Sequence, residues 1–171
     1  MASKPDFNEL VDLHSVELYA YLWRMLADEQ DAEDCLQDVY LRAYRAYEKL
    51  PSGGNYRAWL YKIATNSANT ARKKLARNAQ LVDVNQLGTP RIVEREAETR
   101  QALALLAAQV NALPRRQKAA IILRKYQELT YAEIATALVC SQEAARANVY
   151  QGLKTLRAKL RKLSKTEVIL R

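Results

Sequence analysis

Apolar side chains spaced three and four residues apart recur along this chain, and this spacing constrains the fold more than any other feature. Phe7, Leu10, Leu18, Leu22 and Met25 show it first, and one face of an α-helix repeats at that interval. The 171 residues include only four Gly and four Pro, so few positions disfavour helix. The pattern therefore predicts a helical protein.

The predicted helices are separated by short breaks and by one longer linker. Pro51-Ser52-Gly53-Gly54 reads as a loop, and residues 79–93 show no sustained period and contain Gly88 and Pro90. Asp31 is expected to cap the second helix, and Pro114 to occupy the first position of the fifth. The predicted helices cover residues 7–27, 31–50, 55–77, from 94 onward, from 114 onward, 131–138 and 142–163.

Charge divides the chain into surfaces of opposite sign. The first fifty residues hold eleven acids and five bases, whereas residues 51–80 hold six bases and no acid. The formal net charge is +8, which favours a polyanionic partner. The contrast predicts two neighbouring surfaces with different partners.

Several function classes lack support in the sequence. Cys35 and Cys140 lie far apart, His14 is the only histidine, and no metal-ligand spacing occurs. No glycine-rich phosphate loop or nucleophile elbow is present. We expect no metal, no cofactor and no enzymatic activity, with the cysteines buried and His14 at the surface or between helices. No apolar run approaches the roughly 20 residues that span a bilayer, so we expect a cytoplasmic protein without membrane insertion.

A basic stripe follows one face of the third predicted helix. Lys62, Asn66, Asn69 and Lys73 are spaced by four, three and four residues, opposite the apolar side. Such a face offers cations to phosphates and carboxamides to exposed base edges. A solvated helix face would show the same pattern, so both interpretations stay open here. Two glycines beside Tyr56 and Trp59 add a loop able to admit and stack an unpaired base.

A short helix, a three-residue turn and a longer helix follow one another near the C-terminus. Thr130 and Glu133 form a capping-box pattern at the start of the short helix. This arrangement matches a helix-turn-helix that reads DNA, although an ordinary pair of packed helices would look similar. The outward arc of the longer helix carries Glu143, Arg146, Ala147, Tyr150, Gln151 and Lys154. We therefore predict an all-α fold with two small helical domains joined by a flexible linker, the second containing a helix-turn-helix.

Three segments in this order resemble the extracytoplasmic-function sigma factors of bacterial RNA polymerase. DAEDCLQDVYLRAYRAY is similar to the polymerase-binding helix, NYRAWLYKIATNSANTARKK to the −10-recognition helix, and ALPRRQKAAIILRKYQELTYAEIATAL to the start of the −35-binding domain. The resemblance implies sigma domain 2 at residues 1–78, a linker at 79–93 and sigma domain 4 at 94–171. It also implies that the protein binds core polymerase, recognises the −10 and −35 promoter elements and promotes melting.

The resemblance assigns residues to each expected contact. A coiled coil of the largest polymerase subunit would be bound by Asp34, Gln37, Asp38, Arg42 and Arg45. Promoter DNA near −10, partly single-stranded, would be bound by Ser52, Gly53, Gly54, Asn55, Tyr56, Trp59, Lys62, Asn66, Asn69 and Lys73. Duplex DNA at −35 would be bound by Arg146, Ala147, Tyr150, Gln151 and Lys154. The family also implies an anti-sigma factor as a partner.

The helix-turn-helix departs from the family pattern at several positions. Val139 replaces the turn glycine, Glu143-Ala144 replaces Gly-Thr, and Asn148 and Gln151 stand at two commonly basic positions. Fewer cations predict weaker contacts to phosphates or guanines, at about 1–3 kcal/mol for a good bidentate pair. An atypical −35 element, or a domain used more for protein contact, would fit these changes.

Two other functions stay open at this stage. The chain could be a helix-turn-helix regulator that binds duplex DNA without polymerase, but the acidic and Asn-rich helices would then have no assigned role. It could also be an adaptor whose two domains mainly bind another protein.

Overall fold

The protein is helical throughout the parts of the chain that the structure, a computed structural model, describes, namely residues 4–79 and 97–169. No strand occurs within these two ranges, and the all-α prediction is confirmed. None of the helices within them is long and apolar enough to cross a membrane. The helices are α1 (Phe7–Leu26), α2 (Glu29–Tyr47), α3 (Tyr56–Ala79), α4 (Ala97–Asn111), α5 (Arg115–Lys125), α6 (Tyr131–Leu138) and α7 (Gln142–Ile169).

The cap of α2 differs from the sequence prediction. Ala27 adopts the left-handed conformation (φ 59°) after α1, and Asp28 is then extended (φ −143°). The Asp28 carboxylate accepts from the backbone N–H of Asp31 at 2.9 Å. Asp31 lies inside the first turn, so its prediction as the cap was wrong. An aspartate with extended backbone can reach an amide three residues ahead, whereas one already in the helix cannot.

The end of α2 and the start of α3 are set by the loop between them. α2 ends at Tyr47 rather than near Leu50, because the amides of Lys49 and Leu50 bond to carbonyls only three residues back, at 3.2 and 3.0 Å. Pro51 follows, and the α conformation is disfavoured for the residue that precedes a proline, here Leu50. Asn55 then caps α3, its Oδ1 accepting from the N–H of Ala58 at 2.9 Å.

α3 continues to Ala79, two residues beyond the predicted end at Arg77. Ala79 is thus helical although it was assigned to the predicted linker. The rest of that linker, 80–93, and the predicted helix start at 94 lie outside the described residues. α4 is described from Ala97.

The first three helices pack around one apolar core. Leu18, Tyr21 and Leu22 of α1 are fully buried together with Val39 of α2 and Leu60 of α3. The rings of Tyr21 and Tyr61 meet edge to face at 5.3 Å, and the Tyr21 hydroxyl hydrogen bonds to Thr65 at 2.8 Å. This core holds α3 in place, and the other side of α3 faces outward.

The C-terminal helices begin close to their predicted positions, but α7 continues to Ile169 rather than ending at residue 163. α6 has the predicted bounds, and both bonds of the Thr130–Glu133 capping box are present. Pro114 is the N-cap of α5 rather than its first residue, with extended ψ (141°). A Cβ built on Gly152 of α7 would lie 2.5 Å from Cδ1 of Ile121, so this glycine permits the close approach of α7 to α5.

The N-terminal half (residues 4–79) and the C-terminal half (residues 97–169) also pack against each other. α3 contacts α6, α1 contacts α5, and buried side chains of both halves form one continuous apolar cluster. The helix-turn-helix therefore lies directly on the half that carries the basic, Asn-rich helix.

Candidate nucleic-acid and protein interfaces

The outward side of α2 presents a mixture of acidic, amide and basic groups. Asp34, Gln37 and Arg45 are exposed. Asp38 is half-buried and already has two partners, since its Oδ2 accepts from Arg42 at 2.7 Å and from the Ser67 hydroxyl at 3.0 Å. Among the five residues predicted for polymerase binding, Asp38 and Arg42 are thus engaged with each other, and Asp38 also fixes α2 on α3.

Two apolar side chains on the same side of α2 were missed by the sequence analysis. Leu41 is 58% exposed and Tyr44 is 66% exposed. They follow Gln37 at spacings of four and three residues, so the three share one face. Large exposed apolar groups beside polar ones are typical of protein contact surfaces. The spacing from Gln37 was the available signal, but apolar residues in an amphipathic helix are normally assigned to the core.

The loop before α3 is open and depends on one glycine. Ser52, Gly53, Gly54 and Asn55 are exposed. Gly53 has φ +80°, a backbone conformation that residues with a side chain rarely adopt, and a Cβ built there meets no atom within 4 Å. The Tyr56 hydroxyl donates to the carbonyl of Pro51 at 3.0 Å and closes the loop on α3. Glycine is needed here for backbone conformation, and the space around it is free.

The basic stripe lies mostly on the outward side of α3, as predicted. Lys62, Asn66 and Lys73 are exposed, whereas Asn69 is half-buried. The Oδ1 atom of Asn69 is buried without a hydrogen-bond partner, and such atoms are uncommon in native proteins. The stripe thus includes one acceptor whose hydrogen bond is not made within the described residues.

The aromatic residues beside the loop are packed rather than free. Tyr56 and Trp59 are half-buried, and their rings lie 5.9 and 6.2 Å from the ring of Tyr47. Both rings also pack against the buried apolar cluster. Their packing against Tyr47 and this cluster therefore restricts the orientation of the two rings.

The outward face of α7 carries the residues predicted to read duplex DNA. Tyr150 is 62% exposed, and Arg146, Ala147, Gln151 and Lys154 are exposed as well. The Arg146 guanidinium lies 5.3 Å from the centroid of the Tyr131 ring. Cation–π contact of this kind orients an arginine while leaving its N–H groups available. The five residues form one face, in line with their predicted grouping.

The turn between α6 and α7 is strained at one position. Val139 has φ 51°, the left-handed conformation that glycine adopts at no steric cost. It is 62% exposed, and its amide bonds back to carbonyls of α6. The turn is therefore kept despite the missing glycine.

The two cysteines are at least partly buried, and the histidine contacts a neighbouring carboxylate. Cys35 is buried, and burial raises the pKa of its thiol to about 12. Cys140 is half-buried beside α6. Nδ1 of His14 lies 2.5 Å from Glu17. Within residues 4–79 and 97–169, no group of three or more His, Cys, Asp and Glu residues could hold a metal ion.

Glu133 is part of the α3–α6 contact as well as of the capping box. Its Oε1 accepts from Nδ2 of Asn55 at 3.0 Å. Burial acts to raise the pKa of Glu133, but hydrogen bonds from Asn55 and Thr130 and the charge of Arg57 outweigh it and lower the pKa. Glu133 is therefore held as a carboxylate against the loop before α3.

Comparison with known proteins places both halves. The model of sigma-70 region 2 matches residues 10–78, and that of sigma-70 region 4 matches residues 103–156. The ECF RNA polymerase sigma factor SigW of Bacillus subtilis (strain 168) is 26% identical over 168 residues, covering 92% of this chain and 90% of SigW. SigX of the same organism, also an ECF RNA polymerase sigma factor, is 29% identical over 162 residues, covering 88% and 81%.

A solved structure shares the fold. The sigma factor RpoE, in complex with the anti-sigma factor NepR from Bartonella quintana, superposes with a TM-score of 0.75 at 22% identity, covering 91% of this chain and 97% of that one. Sigma factors are transcription initiation factors and not enzymes, so the expectation of no enzymatic activity is confirmed. With both sigma-70 regions in this order and relatives matching along most of its length, the chain belongs to the extracytoplasmic-function (ECF) sigma factors.

Proposed function

We propose that this protein binds core RNA polymerase through α2, recognises a −10 element through the loop and stripe of α3 and a −35 element through α7, and promotes promoter melting. The observation that carries the proposal is that most residues of the three predicted surfaces are exposed, on a chain with both sigma-70 regions in order. Such a protein works with polymerase in the cytoplasm.

The α2 surface suits a partner with basic and apolar groups. Asp34 and Gln37 are exposed and offer acceptors, and Leu41 and Tyr44 supply apolar area beside them. Aromatic side chains near the centre of an interface commonly contribute most of its binding energy. The Asp38–Arg42 pair is partly exposed to solvent, and such pairs contribute little by themselves.

The loop and stripe suit a single strand better than a duplex. Gly53 and Gly54 leave open space beside Tyr56, and Asn66 and Lys62 continue the path along α3. Base stacking and backbone contacts on such a surface offset the cost of opening DNA, about 1.4 kcal/mol per base step. No covalent chemistry is required.

The α7 face suits a major groove with an unusual sequence. Arg146 is oriented by Tyr131, and Tyr150 offers a ring and a hydroxyl. Asn148 is partly withdrawn, since its side-chain amide donates to the carbonyl of Ala144 at 2.9 Å. Asn148 therefore does not replace the lost cation, which supports an atypical −35 element.

Run-off transcription with purified core polymerase and a genomic promoter library tests the proposal. We expect discrete promoter-dependent transcripts only when this protein is added. Asp34→Ala with Gln37→Ala should abolish core association and leave −35 duplex binding intact, while Glu29→Ala, an exposed acid in the first turn of α2, should change neither. Duplex binding without any core association would instead indicate a separate helix-turn-helix regulator.

The proposal includes an anti-sigma factor as a further partner. The solved relative RpoE is bound to one. Expression of the chain with its neighbouring genes, followed by purification, should yield a stable complex that suppresses run-off transcription. Recovery of the chain with core polymerase alone would contradict this part of the proposal.

A further inference from the structure

The interface between the halves contains a buried lysine whose hydrogen-bond partner lies in the other half. Lys118 of α5 is 2% exposed, and its ammonium donates to the carbonyl of Met25 at 2.8 Å. Met25 lies in the last turn of α1, where carbonyls lack helical partners and the helix dipole is negative. Lys118 therefore completes the C-terminal end of a helix in the other half.

A second set of bonds joins α3 to the segment before α6. The Arg57 guanidinium donates to the Glu17 carboxylate at 2.6 Å and to the carbonyl of Gln127 at 2.8 Å. The Tyr61 hydroxyl donates to Oε1 of Gln127 at 3.1 Å. Gln127 is itself buried, so both of its acceptors are satisfied by the N-terminal half.

The third contact involves the surface proposed to bind the −10 strand. Asn55, in the open loop, donates to Glu133 of the helix-turn-helix. Lys62, the first residue of the basic stripe, lines an open cavity whose other walls are α6, the turn after it and the first residue of α7. A carboxylate and a helix of the C-terminal half thus lie beside groups that would otherwise meet DNA.

This arrangement cannot read both promoter elements at once. The names of the −10 and −35 elements place them about 25 base pairs apart, roughly 85 Å at 3.4 Å per base pair. Helices in direct contact, as α3 and α6 are, have axes only about 8–10 Å apart. The halves must therefore separate before both elements are bound.

We infer that the free chain inhibits itself: the C-terminal half docks on the N-terminal half through Lys118 and Gln127 and lies against the −10 surface through Glu133, and polymerase and promoter binding require this interface to open. The inhibition rests on the proposed function, whereas the closed arrangement does not. The apparent affinity of a ligand that binds only the open form is reduced, because part of its binding free energy is used to open the interface.

Fluorescence energy transfer between the halves tests the closed arrangement. Labels are placed at Val16→Cys and Arg157→Cys, both exposed, in a chain carrying Cys35→Ala and Cys140→Ser. Lys118→Glu sets a carboxylate against the carbonyl of Met25 and should reduce transfer markedly. Lys125→Glu makes the same charge change at an exposed position of α5 and should leave transfer at the parental level.

A second measurement links opening to function. Binding of a fluorescein-labelled DNA single strand of mixed sequence is measured with the free protein, and Lys118→Glu should bind at least about fivefold more tightly than Lys125→Glu. Circular dichroism checks that both variants are folded. If Lys118→Glu is unfolded, Tyr61→Phe removes one interface bond with its ring retained and should give smaller changes in the same directions.

The outcomes separate this inference from the proposed function. Equal transfer in the parent and Lys118→Glu, with the variant folded, would overturn the closed arrangement. Reduced transfer without tighter strand binding would overturn the inhibition. Absence of promoter-dependent transcripts from both the parent and the open variant would instead refute the proposed function, and the transfer result would stand.

Discussion

Closure of the two halves should strengthen as pH rises from 7 to 9.5, because it buries Lys118. Burial, with a smaller effect from Arg72, lowers the pKa of this lysine from 10.5 to about 8. In the open form its ammonium would be solvated, with the ordinary pKa. The charged form is therefore disfavoured in the closed state, and this penalty is fully present below pH 8 and is relieved between pH 8 and 10.5.

The magnitude follows from the two pKa values. One pKa unit corresponds to about 1.4 kcal/mol, so the full penalty is about 3 kcal/mol, of which about 2 kcal/mol is relieved between pH 7 and 9.5. The closed-to-open ratio should rise by a factor of about 30 over this range. Arginine side chains do not titrate in this pH range, so Arg72, the charged neighbour of Lys118, cannot produce the change.

Energy transfer between labelled halves, recorded against pH, measures this ratio. The parent should show transfer that increases with pH, whereas Lys118→Met, which has no titrating group, should show a flat profile. A profile in the parent that is flat, falls, or persists unchanged in Lys118→Met would refute the assignment of Lys118 as the buried titrating group of the interface.

Four further changes have expected outcomes of their own. Thr130→Ala removes one side of the capping box and should lower the free energy of unfolding by about 1 kcal/mol in urea titrations; an unchanged midpoint would contradict the cap. Gly53→Ala must adopt φ +80° and should cost roughly 1–2 kcal/mol in the same assay, and an unchanged midpoint would contradict this strain. Asn66→Ala should impair permanganate-detected melting more than closed duplex binding, and equal losses would argue against a single-strand role. Arg146→Ala should weaken −35 duplex binding by about 1–3 kcal/mol with core association intact, and loss of both would indicate a folding defect.

Local features were predictable where one sequence pattern admits one geometry. Thr130 and Glu133 stand three residues apart before an apolar run, and the capping box and the bounds of α6 followed from that spacing. At α2 the sequence pattern assigned the cap to Asp31, whereas the structure has Asp28 there, because the left-handed backbone of Ala27 leads into an extended Asp28. Neither an alanine nor an aspartate at these positions indicates such a backbone conformation, so the pattern alone selected Asp31 wrongly.

The interface between the halves was beyond sequence reasoning for a different reason. Asn55 and Glu133 are 78 positions apart and Met25 and Lys118 are 93 apart, so no local period relates them. Lys118 had no assigned role in the sequence prediction, and Glu133 was assigned only to the capping box. A side chain with one sufficient local role gives no sign of a second, distant one.

The composition of this interface bears on how readily it opens. Desolvating Lys118 costs free energy that its bond to Met25 recovers only in part, as the lowered pKa indicates. Arg57 and Glu17 already pair within the N-terminal half and keep that bond when Gln127 leaves. The apolar contacts between α3 and α6 favour closure, while the buried ammonium limits its strength. An interface of this kind holds the free chain closed. It opens when a partner that binds only the open form is present at a concentration about 100 times its dissociation constant or more, since such binding supplies about 2.7 kcal/mol.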